Sequence, residues 1–458
     1  MGAGELSDAT LPVRGATTET EEIAHVAGLP EMQPGEVLES DAASSHSILR
    51  LTAVFAGSNM VSTVLRLVGG LLVSRAVVPS VLGLFNGINL VVGYVPFLQL
   101  GVINGLNRDL PYHLGRGDRP HATKLAAAAQ AWALLTGGVA GLAMVLVSIW
   151  QASQGAWQLA FGWLTVSLPV FMAIFGQMYL QALFRTRSEF ERLGKYNLIQ
   201  ALVAFALVAL VWPMKFYGLC LRGMLIAASS LLLLWYWRPL KVEFRWDGRA
   251  LKELVRTGVP VFAVGQFYSW WGVLDSTLVL KFAGTTGLGL YALSGLAGKT
   301  VGMVSNALGQ VVYPRMSEEY GKGSGVGMLV RMAWFPVVFS VLVTGILGAL
   351  GWTALPLFVR IVLPKYLGGV EAARWTLVSA LVVSLMPINN VFNVVKRQDL
   401  YGAAMGIGIF TYLGGVFLLG GSVGKLAAFP QAMVFGRLAF FAACAVFLVH
   451  LWRVEQSN

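Results

Sequence analysis

The stretch 51–74, LTAVFAGSNMVSTVLRLVGGLLVS, constrains this chain more than any other feature. An apolar helix of about 20 residues crosses the ~30 Å hydrocarbon core of a bilayer. This one carries a single charge, Arg66, near its middle. A cation at that depth costs roughly 2.5–3.5 kcal/mol on insertion scales, so something must offset it. The run is one of twelve hydrophobic segments, at about 50–74, 82–106, 122–149, 158–184, 196–213, 217–237, 257–281, 286–312, 329–353, 373–395, 400–422 and 426–451. Only MKFYG separates the fifth from the sixth, and Pro213 and Gly218 favour a tight turn there over one long helix. Because 12% of the residues are charged where soluble proteins carry about 25%, the chain reads as an all-α polytopic membrane protein.

Loop charge sets the orientation. The even-numbered loops and the C-terminus hold 20 Lys and Arg residues, and the opposite side holds seven. The positive-inside rule then predicts that both termini are cytoplasmic, in agreement with an even number of spans. Residues 1–47 are different in kind. Nine acids against Arg14 give that segment −8, leaving +19 for the remainder of a chain whose net charge is +11. With no apolar period, this acidic extension reads as disordered rather than as a secretory signal. The basic excess lies between membrane segments, so anionic lipid or an anionic substrate is the expected partner, and nucleic acid is not. Trp150, Trp157, Trp235, Trp237 and Trp352 fall near segment ends, where amphipathic rings anchor at the interface.

The chain repeats itself. GLNRDLPYHLGRGD follows the second segment and GQVVYPRMSEEYGKGSG follows the eighth. Each carries a proline and then a Gly-base-Gly turn, Gly115-Arg116-Gly117 and Gly321-Lys322-Gly323. The expected architecture is an N-terminal lobe over 48–237 and a C-terminal lobe over 257–458, six helices each, joined by the basic loop 238–256. Paired repeats of this kind build secondary transporters, with the substrate site between them.

Several strings resemble chemistry without its context. SGLAGKT at 294–300 lacks the first Walker glycine, its place being taken by Leu293. Arg116-Gly117-Asp118 sits on the expected cytoplasmic side. His25, His46, His113, His121 and His450 show no metal-ligand spacing, so no metal is expected, and no catalytic set points to an enzyme or to a cofactor. Cys220 and Cys444 both fall inside apolar segments and read as buried small hydrophobes.

The intramembrane polar residues carry the functional reading. Asn59, Ser62, Thr63, Arg66 and Gly69/Gly70 form one stripe at helical spacing, which suits a bundle interior or a water-filled cavity. Gly295, Lys299, Gly302, Asn306 and Gln310 do the same in segment eight, and Asn86 and Asn89 share a face in segment two. Segment seven carries Asp275, segment twelve Arg437, and segment six Arg222 close enough to an end to snorkel. Arg66, Lys299 and Arg437 against Asp275 make a net positive cavity. Such a cavity favours an anion, above all phosphate, which arginine grips bidentately. An Asp275–Lys299 ion pair is the structural alternative for those two residues.

LLVSRAVVPSVLGLFNGINLV, LGVINGLNRDLPYHLGRGD, GLYALSGLAGKTVGMVSNALGQVVYPRMSEEYGKG and LPLFVRIVLPKYLGG resemble the lipid-linked polysaccharide flippases of the multidrug/oligosaccharidyl-lipid/polysaccharide (MOP) exporter superfamily. The resemblance covers roughly residues 48–450. It implies two six-helix lobes in a V around a central cationic cavity. It also implies transfer of an undecaprenyl-pyrophosphate-linked oligosaccharide to the outer leaflet of the bacterial inner membrane, with polysaccharide polymerase machinery as a partner. Arg66, Lys299, Arg437, Asn59, Asn86, Asn89, Asn306 and Gln310 are the expected substrate contacts, with Asp275 as the group that couples a proton or sodium ion. The alternative is a cation-coupled drug or metabolite antiporter of the same superfamily, and a third reading is a polytopic scaffold in envelope assembly.

Overall fold

The computed structural model describes residues 61–457 apart from 188 and 421, with the backbone alone at 190, 261, 264, 267, 268, 303–311, 314, 423 and 457. The acidic extension and Asn59 lie outside the described residues. Every regular element among the described residues is helical. In order they are α1 (61–76), α2 (Pro79–Tyr94), α3 (Val102–Gly115), α4 (Arg119–Ser153), α5 (Trp157–Ile174), α6 (Phe190–Ala206), α7 (Val211–Tyr236), α8 (248–283), α9 (285–321), α10 (Val326–Val362), α11 (Val370–Val383), α12 (Asn390–Val394), α13 (Gln398–Leu419) and α14 (Ala428–Ser457). Among the described residues, seven helical stretches are long and apolar enough to cross a membrane, or eight if the bent run 364–394 counts as one. Their outward faces are apolar and exposed, as at Phe410, Phe417 and Leu418 of α13 and Leu142, Leu146 and Ile149 of α4. In water such faces would aggregate; in lipid they are solvated. The chain is a multi-pass membrane protein.

Two reversals are hidden within continuous helix. Tyr291 donates to Asp275 Oδ2 at 2.9 Å. In a straight helix those residues would stand about 24 Å apart. The chain turns back at Gly284, whose φ of 67° and ψ of −170° only glycine adopts without strain, so α8 and α9 form an antiparallel hairpin. The second reversal is at Lys215 (φ 48°), within the first turns of α7, so the residues after it run back along α6. Gly218 then lies so close to Leu210 that a Cβ there would fall 2.3 Å from its carbonyl oxygen. Arg222 Nε donates to Ala204 O, and Gln200 bonds Ser229, which registers the two antiparallel helices. The tight turn expected between segments five and six is present, and Arg222 is occupied with α6.

The halves of the chain meet along one long seam. Pro79, Gly83, Gly87, Gly93, Gly101 and Gly105 of the α2–α3 stretch face, in that order, Gly289, Thr285, Leu280, Val273, Gly258 and Leu254 of the α8–α9 hairpin. A Cβ on Gly83 would lie 1.6 Å from Thr285 O, one on Gly289 1.7 Å from Pro79 O, and one on Gly258 1.9 Å from Gly101 O. Tyr94 and Thr277 share a hydrogen bond across the seam at 2.6 Å. Small residues let backbones touch where lipid offers no hydrophobic drive for helices to associate.

The α8 end of the seam starts at Asp247, which accepts from the backbone N–H of Arg249 and Ala250. These bonds, with Arg245 and Lys124 nearby, hold its pKa below the ordinary aspartate value. A depressed carboxylate stabilises above its unfolded pKa, and that support is lost as pH falls through the folded value. Asp247→Ala is therefore expected to speed amide exchange over 248–252 at neutral pH, and Asp247→Asn, itself a capping residue, to leave it slow. Wild type should approach the Ala variant's rate, relative to the intrinsic exchange rate, only at acid pH.

Candidate functional site

Helix α1 has three distinct faces. Val61, Val64 and Val68 are exposed and apolar, the signature of lipid contact. Ser62, Gly69, Val73 and Ala76 are packed. Roughly half a turn from the lipid face lie Thr63, Arg66 and Gly70. Arg66 is exposed there, and a Cβ on Gly70 would meet nothing within 4 Å. A face that is polar, open and turned away from lipid borders an aqueous space.

Helix α9 presents a matching face. Lys299 is exposed between Gly295 and Gly302, and neither glycine has a neighbour within 4 Å of its Cβ direction. The remaining sides of α9 are largely filled: Tyr291, Leu293, Ser294 and Val301 are buried, and Gly298 faces Thr376. The two helices share an apolar cluster that joins Val73, Ala76 and Val77 to Leu293, with Leu290 and Ala297 against it. Arg66 lies seven residues before Val73 and Lys299 six after Leu293. At 1.5 Å per residue each cation sits roughly 9–11 Å along its own helix from that cluster. Helix α8 adds a third open face that the charge pattern did not reveal: Gly265, Ser269, Gly272 and Ser276, with open space beside both glycines.

Asp275 is not on an open face. It is 8% exposed and accepts hydrogen bonds from Tyr291 at Oδ2 and from Tyr412 at Oδ1, 2.9 and 2.8 Å away. Trp271, one turn back, packs at a tilt against Tyr412 and edge-on against Phe440, where Gly408 and Gly436 admit its ring. The side chain of Tyr268, two turns back, lies outside the described residues. Arg437 interacts with Asp275 through its charge and donates to the carbonyl and hydroxyl of Ser379, 3.1 and 2.7 Å away. The structure thus couples Arg437 to the acid and to α11, whereas Arg66 and Lys299 are exposed. Among the described residues, Trp271 Nε1, Ser294 Oγ and Asn389 Oδ1 are buried without a protein hydrogen-bond partner. Tyr412→Phe removes one charge-assisted bond from a buried carboxylate and is expected to cost about 1.5–3 kcal/mol, read as a lower unfolding temperature in detergent.

The asparagines are more ordinary. Asn89 donates to Phe85 O of its own helix, and Asn86 is half-buried. Asn306 and Gln310 have side chains outside the described ones. A second polar cluster, which single-residue charge reading missed, ties α5–α7 together. Gln177 reaches Tyr196 and Ser230, and also Gln181. It sits where the helix widens into a π turn at Phe175–Leu180, a distortion frequent at functional sites.

This geometry defines a class: an all-α polytopic membrane protein with charged, open helix faces. Structural comparison agrees. The chain superposes on an inward-facing multidrug resistance MATE family transporter of the MOP superfamily with a TM-score of 0.71, at 14% identity over 89% of this chain and 99% of that one. The match to an outward-facing MATE transporter scores 0.63, at 14% identity over 89% and 97%. A MOP superfamily transporter from Pyrococcus furiosus, described as having a binding pocket of reverse polarity that suggests a different function, scores 0.61, at 16% identity over 90% and 95%. Residues 134–324 match the family described as polysaccharide biosynthesis protein. No curated protein matches the sequence significantly. The likeness to the solved structures, at 14–16% identity, is one of fold, and the family match spans residues 134–324 of the chain.

Proposed function

We propose that this protein is a flippase for a polyprenyl-pyrophosphate-linked oligosaccharide, undecaprenyl in a bacterium, moved from the cytoplasmic to the outer leaflet of the inner membrane. The observation that carries the reading is the pair of exposed cations, Arg66 and Lys299, on open polar faces of helices that come from the two halves of the chain and share an apolar cluster. A pyrophosphate offers each a charge-assisted partner and repays part of the cost of keeping cations in the membrane. The sugar needs volume and hydroxyl partners, which the small polar face of α8 supplies, while the lipid tail stays in the bilayer. The match of residues 134–324 to a polysaccharide-biosynthesis family favours a glycan cargo over a cationic drug.

In this reading the lobes are 48–237 and 257–458, joined by 238–256, with both termini and the acidic extension 1–47 in the cytoplasm. The lobes rock about their seam to expose the site alternately. Asp275, held by two tyrosines with Arg437 beside it, is the coupling group for a proton or sodium ion. The drug-antiporter reading rests on the same acid, but places it at the cargo site. Quenching of tryptophan fluorescence in the purified protein separates the two. Polyprenyl pyrophosphate should quench with a midpoint that weakens as salt rises, and a lipophilic cationic dye should not compete. Competition by the dye, with no response to the pyrophosphate lipid, would favour the antiporter.

A further inference from the structure

His113 ends α3 and His121 opens α4, on either side of the turn in which Gly117 adopts a φ of 77°. The turn folds the rings together, with centroids 4.4 Å apart. Glu253 reaches them from α8. Its Oε1 lies 3.1 Å from His121 Nε2 and 3.9 Å from His113 Nε2. The donor atoms of the three residues all fall within 4.8 Å of one another. Asp118 completes the arrangement. It caps α4 by accepting from His121 N–H, and its Oδ2 lies 3.7 Å from His113 Nδ1, the nitrogen facing away from Glu253.

We propose that His113, His121 and Glu253 bind a zinc-class divalent metal ion. Two imidazoles and a carboxylate are ligands such an ion takes, and a fourth position remains for water. Bonds of about 2.0–2.1 Å set tetrahedral donors about 3.3 Å apart, so small side-chain rotations close this set around an ion. A carboxylate on the far ring nitrogen orients a ligating histidine and raises its basicity, which is the place Asp118 holds. The side chains are accessible, 20%, 33% and 40% exposed for His113, His121 and Glu253, so an ion can enter from solvent. Position gives the site its consequence. Glu253 adjoins Leu254, whose backbone packs on Gly105, at the end of the α2–α3/α8 seam away from Gly83. A bound ion fastens the α3–α4 turn to α8 at that end. Among the described residues, the related turn at 321–323 carries no such set: Lys322 there pairs with Glu318 and Glu319.

The test uses full-length protein freed of any affinity tag and stripped with a chelator in detergent. Calorimetric titration with Zn2+ is expected to show uptake of one ion per chain. Co2+ should give the intense visible absorption of a low-coordinate site. His113→Ala and His121→Ala should each weaken Zn2+ at least tenfold, with Glu253→Gln also weakened and Asp118→Asn, which keeps the cap, weakened by up to tenfold. His450→Ala should bind as wild type. No stoichiometric uptake by folded wild type would overturn the proposal, as would uptake unchanged in the His113→Ala/His121→Ala double variant. Because the wild-type titration decides the first point, a variant that misfolds does not shield the proposal.

Discussion

Gly289→Val is expected to destabilise the protein by at least about 3 kcal/mol, and Gly83→Val by as much. Overpacking a core costs about 1–3 kcal/mol where side chains can yield. Here the obstacles are backbone oxygens: Pro79 O at 1.7 Å from the new Cβ and Thr285 O at 1.6 Å. Neither can rotate away, so whole helices must part, and the Tyr94–Thr277 bond further along the seam goes with them. Gly70→Ala and Gly295→Ala are the controls. Both glycines face open space, and alanine is the better helix former by up to about 1 kcal/mol, so these variants should melt at or slightly above the wild-type temperature. Thermal unfolding of the four proteins in one detergent checks the contrast. Equal melting temperatures across the set would mean that the seam is not a fixed joint.

Arg66→Ala should separate activity from stability. Transport should fall at least tenfold, since one charge-assisted contact to phosphate contributes about 1.5–3 kcal/mol. Stability should hold or rise, because the variant no longer keeps an exposed cation at membrane depth. Arg66→Lys should recover part of the activity, a point charge replacing a bidentate fork. Lys299→Ala should behave in the same way. An arginine kept for packing would show the reverse: lower stability with transport unchanged. Parallel transport and melting measurements distinguish the two.

Much of this was legible in the sequence for a physical reason. Lipid demands long apolar helices, so segment positions follow from composition alone, and even the reversals at Lys215 and Gly284 fall between adjacent apolar runs. Helical spacing placed Arg66 with Thr63 and Gly70, and Lys299 with Gly295 and Gly302, on the faces the structure leaves open. What spacing could not supply was the partner across helices. Asp275 and Lys299 looked like a possible pair, yet the acid is claimed by Tyr291 and Tyr412. Arg437 reads as a cavity cation in sequence, and its bonds to Ser379 are visible only once α11 and α14 are packed. Tyrosines scan as ordinary membrane residues, so their hydroxyls gave no signal. The histidines fail every local metal spacing because Glu253 arrives 132 residues after His121. The glycine seam carried a signal in principle. Glycines recur every four to eight positions from Gly83 to Gly105, but which helix they accept is a matter of tertiary fold.

The most direct test of the central claim is a translocation assay. Purified protein is reconstituted in liposomes with fluorescent polyprenyl-pyrophosphate-linked sugars, and their exposure to a membrane-impermeant quencher is followed over time. The account predicts bleaching faster than in protein-free liposomes, slowed at least tenfold by Arg66→Ala. Bleaching no faster than in empty liposomes, from protein that is folded and retains its wild-type melting temperature, would contradict it.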